Sequence, residues 1–130
     1  MRAALRTLAC AATFLLWAAT VSAQVRALGP ESPGAIRAAH AGQPWVLALW
    51  SLHCAPCQED LALLAALHRR RPDLALVLVA ADDPAEAGAV RERLRAHGLD
   101  GLEAWVFGDA APERLRHALD PRWRGELPRT

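Results

Sequence analysis

The chain contains three continuous apolar runs, at residues 45–51 (WVLALWS), 74–81 (LALVLVAA) and, shorter, 102–107 (LEAWVF). Each run is bounded by polar or turn-forming residues. A run without regular polar alternation favours a strand that is buried on both faces, as in a parallel sheet. We therefore predict that these three segments form the strands of one central sheet.

Segments of helical composition lie between and after the apolar runs. Residues 56–68 place Leu61 and Leu64 on one side, as expected for a helix that packs against a core. Residues 85–97 are rich in Arg and Glu, and residues 112–119 again have helical composition. Alternating strands and helices predict an α/β fold with a mostly parallel central sheet flanked by helices, connected by right-handed crossovers.

Residues 24–44 are predicted to be a lead-in to this domain. Residues 24–34 contain two Pro and two Gly, which is typical of a linker or irregular segment. Ser32 stands before a Pro and has the character of an N-cap, so a short helix is expected at residues 33–41. The domain itself is expected to start at Trp45.

Residues 1–23 have the pattern of a secretory signal peptide. Arg2 and Arg6 supply a positive start, residues 7–20 are apolar apart from small hydroxyls, and Val21-Ser22-Ala23 is a small-residue cleavage site. The apolar stretch is short for a membrane-spanning helix, which needs roughly 20 residues. We predict a periplasmic or secreted protein, or a membrane-anchored one if the segment is not cleaved.

Cleavage would change both the charge and the cysteine content. It leaves 13 arginines against 14 acidic residues, a net charge of −1, which is not the basic excess of a nucleic-acid-binding protein. It also removes Cys10 and leaves Cys54 and Cys57. Two cysteines this close together in an exported protein indicate a redox pair, since one bridge closing so short a loop stabilises a fold very little.

The position of Cys54 and Cys57 suits thiol–disulfide chemistry. They follow a predicted buried strand and open a predicted helix, where unpaired backbone N–H groups and the helix dipole favour a thiolate. Residues i and i+3 of a first turn share one face, so the two sulfurs can meet. We expect Cys54, nearer the helix tip, to be the nucleophile and Cys57 to resolve the mixed disulfide.

The neighbouring residues offer tuning and one alternative chemistry. Pro56 fits a first helical turn and, with Ala55, forms the loop between the thiols. His53 would stabilise a Cys54 thiolate if protonated, or be an exposed side chain without a role. His53, Cys54 and Cys57 are also three plausible ligands for copper or zinc, but no second Cys/His cluster with ligand spacing supplies a fourth. The favoured interpretation has no metal and no cofactor.

Residues 50–57 (WSLHCAPC) resemble the active-site stretch of thioredoxin-like proteins, nearer the exported TlpA-like branch than cytosolic thioredoxin. The resemblance covers residues 45–130, although only the strand–CxxC–helix element is specific. It implies a thioredoxin fold and dithiol–disulfide exchange with the thiols and disulfides of protein partners, including a membrane or periplasmic redox partner. The family also has a cis-proline loop facing the CxxC pair, and residues 125–130 look like that loop, with Leu127 and Pro128 binding substrate.

Three departures from the family pattern stand beside this resemblance. His53 replaces a common Trp, and Ala48 stands where a buried acidic or amide residue is usual. Glu59 or Asp60 either substitutes for that residue or is a solvated carboxylate that stabilises the helix start. The family's antiparallel strand and closing helix normally follow the cis-proline, whereas this sequence stops two residues after Pro128. We therefore expect a C-terminally incomplete thioredoxin-like fold. Its alternative function is that of a non-catalytic remnant that binds a partner.

Overall fold

The computed structural model describes residues 24–108 and 111–130, so the predicted signal peptide lies outside the described residues. Four strands form one sheet in the spatial order β1-β4-β3-β2, and every neighbouring pair is parallel. The α/β prediction with a parallel sheet is therefore confirmed. The strands are β1 (Arg26–Leu28), β2 (Trp45–Trp50), β3 (Ala75–Ala80) and β4 (Glu103–Phe107).

Helices connect the strands and cover both faces of the sheet. Each lies close to the segment predicted for it, with ends that differ by a few residues. No helix among the described residues combines the length and apolarity needed to cross a membrane. The helices are α1 (Ser32–Ala39), α2 (Ala55–Arg70), α3 (Ala87–Ala96), which follows a 3₁₀ turn at Pro84–Glu86, and α4 (Pro112–Leu119).

The strand β1 corrects the prediction that residues 24–34 are irregular. It pairs with β4 over three residues, with Leu28 opposite Phe107, and Leu28 is fully buried. A three-residue strand is too short to show a hydrophobic period, and its partner lies far along the chain. The start of α1 also differs, because Glu31 is its N-cap while the Ser32 hydroxyl accepts a hydrogen bond from the Gly29 N–H.

Alternating side chains of the sheet supply two separate apolar cores. On one face, Ala48, Trp50 and Leu78 pack with buried residues of α2 and α3. On the other face, Leu49 and Val79 pack with residues of α1 and α4. The molecule therefore has three layers, and α2 lies on the first of these faces.

The strand β2 lies at one edge of the sheet and leads directly into α2. Its inner side pairs with β3 along its whole length, from Trp45 opposite Ala75 to Trp50 opposite Ala80. Among the described residues its outer side pairs only at Leu49, in an antiparallel bridge with Arg129. This edge position brings the irregular segment 120–130 alongside the strand that precedes the cysteines.

Candidate active site

Cys54 and Cys57 lie at the start of α2, where they form a disulfide with a Cα–Cα distance of 5.3 Å. Cys54 is the N-cap residue, and its Sγ accepts a hydrogen bond from the Cys57 N–H at 3.2 Å. Cys57 is fully buried, whereas Cys54 is only partly buried. A reacting partner therefore reaches Cys54 first.

In the first turn of α2, two residues are exposed, Gln58 is partly buried and Cys57 is fully buried. Ala55 and Pro56 are both exposed, and Pro56 lies at the beginning of the helix, where the missing N–H leaves no intrahelical bond unmade. The side chain of Gln58 reaches back to the Cys54 carbonyl at 3.5 Å. The N-terminal amides of α2, together with its dipole, face the partly exposed sulfur and favour negative charge there.

A buried carboxylate lies directly behind this turn. Asp82 follows β3 and is 6 % exposed. Its Oδ1 accepts a hydrogen bond from the Ser51 hydroxyl at 2.7 Å, and the Leu52 N–H donates to both carboxylate oxygens at 3.0 and 3.1 Å. The Ser51 Oγ in turn accepts from the His53 N–H at 3.1 Å. Asp82 therefore contacts Ser51 and Leu52 directly, and His53 through the Ser51 hydroxyl.

The side chain of His53 points to a different acid. Its Nε2 lies 2.9 Å from Glu86 Oε1, in the 3₁₀ turn before α3, and the imidazole is 72 % exposed. Ligand atoms of His53, Asp82 and Glu86 lie within 4.8 Å of one another. The structure thus groups His53 with two carboxylates, while Cys54 and Cys57 are bonded to each other. The alternative metal set of His53 with both cysteines is not assembled in this disulfide form.

The loop containing Leu127 and Pro128 lies against β2, the strand that precedes the cysteines. The Leu127–Pro128 peptide bond is cis, as the family resemblance implies. Leu127 packs against the apolar cluster that contains Cys54 and Cys57. Arg129 exchanges two backbone hydrogen bonds with Leu49, at 2.8 and 3.1 Å.

Ion pairs and side-chain hydrogen bonds hold this loop in place. The Arg129 guanidinium donates to Asp120 and Glu126, and the Trp123 indole donates to the Glu126 carbonyl. The Thr130 hydroxyl donates to Asp60 Oδ2 at 3.4 Å. Asp60, considered as a substitute acid, is thus linked to the loop.

Asp82, Ser51 and Glu86 were not identified as site residues by the sequence analysis. Ala48 is indeed buried and offers no carboxylate, but the end of β3 supplies one. The order of strands and helices in the sequence could have predicted where Asp82 lies. Residues following neighbouring parallel strands meet at the carboxyl edge of a sheet, and Ser51 and Asp82 each follow such a strand.

Comparison of the chain with models of known families, with curated proteins and with solved structures finds no match. The function of the site is therefore argued from its residues. These are a cysteine pair of unequal exposure at a helix start, a buried carboxylate behind that start, and a proline loop against the preceding strand β2.

Proposed function

We propose that this chain is an exported thiol–disulfide oxidoreductase with a thioredoxin-like fold of the TlpA-like branch. The observation that carries the proposal is the cysteine pair itself. Cys54 is partly exposed at the N-terminus of α2, and Cys57 is buried one turn later within bonding distance. This arrangement separates an attacking sulfur from a resolving one. Its partners would be the thiols and disulfides of proteins outside the cytoplasm.

In the reducing direction, the Cys54 thiolate attacks one sulfur of a partner disulfide. A Cys54–partner bond forms, the partner's S–S bond breaks, and a partner thiolate leaves. The Cys57 thiolate then attacks Cys54 Sγ, forming the intramolecular disulfide and releasing the second partner thiolate. Two electrons pass to the partner, whose thiolates take protons from water. The same steps in reverse oxidise a partner dithiol.

Two features of the site support these steps. The Cys57 N–H already donates to Cys54 Sγ, and a hydrogen bond of this kind stabilises a thiolate more than a thiol. Leu127 packs against the apolar cluster that contains Cys57, and the loop that carries it would receive the backbone of a partner next to Cys54.

The proposal is tested with the reduction of insulin by dithiothreitol, followed as turbidity. The purified chain carries Cys10→Ser in every variant, so that Cys54 and Cys57 are its only cysteines. We expect the parent chain to accelerate precipitation and Cys54→Ser to abolish the acceleration. Cys57→Ser should instead retain one attacking thiol and accumulate a mixed disulfide that survives non-reducing electrophoresis.

The matched control is Ala62→Ser, which adds the same hydroxyl at an exposed position of α2 outside the loop between the thiols. It should leave most of the activity in place. A parent chain that precipitates insulin no faster than Cys54→Ser does would refute the proposed function.

The second candidate, a non-catalytic domain that binds a partner, is favoured by the buried Ala48 in place of an acid. It predicts a cooperative thermal transition without any Cys54-dependent insulin reduction. The same purified chain answers both questions, because circular dichroism reports folding independently of turnover.

A further inference from the structure

The ends of β2 and β3 bring a hydroxyl and a carboxylate together beneath the cysteine turn. The last ladder contact between these strands is a hydrogen bond from the Ala81 N–H to the Trp50 carbonyl at 2.9 Å. Ser51 follows Trp50 and Asp82 follows Ala81, so both lie just beyond the ends of these strands, on the side of the cysteines. Among the described residues, they are the buried ones of polar or charged type, at 8 % and 6 % exposure.

We propose that Asp82 is a positioning residue for Cys54, which acts by holding the turn of residues 51–53 through the Ser51 hydroxyl and the Leu52 N–H. This inference rests on the proposed redox function and adds a residue to it. Asp82 does not touch the reacting sulfurs. It acts through the backbone that carries Cys54.

Hydrogen bonds connect Asp82 to Cys54 through the residues just before it in the chain. The Cys54 N–H donates to the Ser51 carbonyl at 3.3 Å, so the residue bonded to Asp82 also closes the turn that ends at the nucleophile. The His53 N–H is bound to the Ser51 hydroxyl. Every backbone N–H from Leu52 to Cys54 is thus bound to Asp82 or Ser51.

This hydrogen-bonded turn matters most when the disulfide is open. The S–S bond ties Cys54 to α2 in the oxidised form, but reduction removes that tie. The contacts of Asp82 involve neither sulfur, so opening the S–S bond removes none of them. They keep Cys54 Sγ near the Cys57 N–H, where the thiolate is stabilised and where Cys57 can reach it. Displacement of a reacting group by about 1 Å can cost roughly a hundredfold in rate.

The test measures alkylation of Cys54 by iodoacetamide in the reduced chain, as a function of pH, alongside the redox potential of the pair against glutathione. We expect Asp82→Ala to slow alkylation at neutral pH by about tenfold, because a Cys54 Sγ displaced from the Cys57 N–H is less often the reactive thiolate. Asp82→Asn keeps an oxygen that accepts from Ser51 and Leu52, so it should restore most of the rate. Ser51→Ala should slow alkylation as well.

The variants separate positioning from charge and from general destabilisation. If Asp82→Asn is as slow as Asp82→Ala, the carboxylate charge is responsible and the positioning proposal is wrong. If both react like the parent chain, it is also wrong. Should Asp82→Ala fail to fold, a slow Ser51→Ala beside a normal Asp82→Asn supports the proposal, and any other combination overturns it.

One control variant completes the design. Asp100→Ala removes a carboxylate that precedes β4. It lies toward the amino-terminal ends of the parallel strands, whereas the cysteines lie at the carboxyl ends, so it should not change the alkylation profile. Alkylation needs no protein partner. A chain that fails to reduce insulin can therefore still show the Asp82 effect, and the two proposals fail separately.

Discussion

At the residue scale, Glu103 joins three parts of the fold through one carboxylate. Its oxygens lie 2.8 Å from the Arg26 guanidinium of β1, 2.9 Å from His40 Nε2 after α1 and 2.9 Å from the Trp105 indole nitrogen of β4. Arg26 also lies over the Trp105 ring, 3.8 Å from its centroid. The short strand β1 is therefore held by side chains as well as by its ladder.

These contacts predict a pH-dependent stability. Burial works to raise the pKa of Glu103, but the hydrogen bonds from His40 and Trp105 and the Arg26 charge outweigh it, so the pKa lies below its ordinary value of 4.5. A carboxyl with a lower pKa in the folded chain stabilises it above the unfolded value. That contribution is lost as pH falls through the folded pKa.

We expect Glu103→Gln to lower the free energy of unfolding by ~1 kcal/mol at pH 7. This is the contribution of a charged hydrogen bond, reduced because the carboxylate is partly exposed. The difference from the parent chain should close as the pH falls from above 4.5, the ordinary value, through the lower pKa of Glu103 in the folded chain. Urea unfolding at pH 7, 5 and 3.5 measures it. Glu92→Gln, which removes an exposed i,i+3 pair with Arg95, should change little at any of these pH values. An equal loss at all three would contradict this explanation.

At the element scale, α2 positions the cysteines by burying one side against the sheet. Cys57 and Leu61 are fully buried and Leu64 nearly so, whereas Leu63 is 68 % exposed. The buried residues follow the i, i+4 and i, i+7 spacing of a single helix face. The helix start, and with it Cys54, is therefore held by apolar packing further along the helix.

Alanine substitution at a buried and at an exposed leucine of α2 tests whether this packing holds the helix. Leu61→Ala should cost ~2–5 kcal/mol of unfolding free energy, the range for a buried leucine, because it leaves a cavity against the sheet. Leu63→Ala should change it by less than about 0.5 kcal/mol, since it removes mostly exposed surface. Denaturant unfolding of the two variants gives the comparison. Similar losses would show that α2 is not packed as described.

Sequence patterns predicted the elements that carry a strong local signal. The strands β2 and β3 and the helix α4 were predicted nearly as observed because long apolar runs and helical periods identify them. The i, i+3 spacing of the cysteines also predicted their proximity, and the structure confirms it.

The features that were missed depend on distant pairing. The three residues of β1 become a strand only through contact with β4, and Glu86 meets His53 only because of how the 3₁₀ turn is placed. Neither partner can be read from the local pattern around these residues. Asp82 lies between these two cases, because the order of the strands alone predicts that it meets Ser51.

At the scale of the whole molecule, helices cover both faces of the sheet but the edge at β2 is only partly closed. Among the described residues, Leu49 alone pairs there, exchanging both of its backbone hydrogen bonds with Arg129. The N–H and C=O of Leu47 point the same way, since backbone groups alternate along a strand. A cavity of about 550 Å³ lies beside this edge and is lined by Trp45, Leu47 and Leu119 among others.

An edge strand with free backbone groups and apolar neighbours favours pairing with another chain. We therefore expect concentration-dependent self-association in sedimentation velocity, and we expect Leu47→Lys to reduce it by placing a charge at the open edge. Leu63→Lys makes the same change on the exposed side of α2, away from the edge, and should leave association unchanged. Circular dichroism of both variants confirms that they stay folded. If the two lysines reduce association equally, general charge repulsion explains the result and the β2 edge is not the contact.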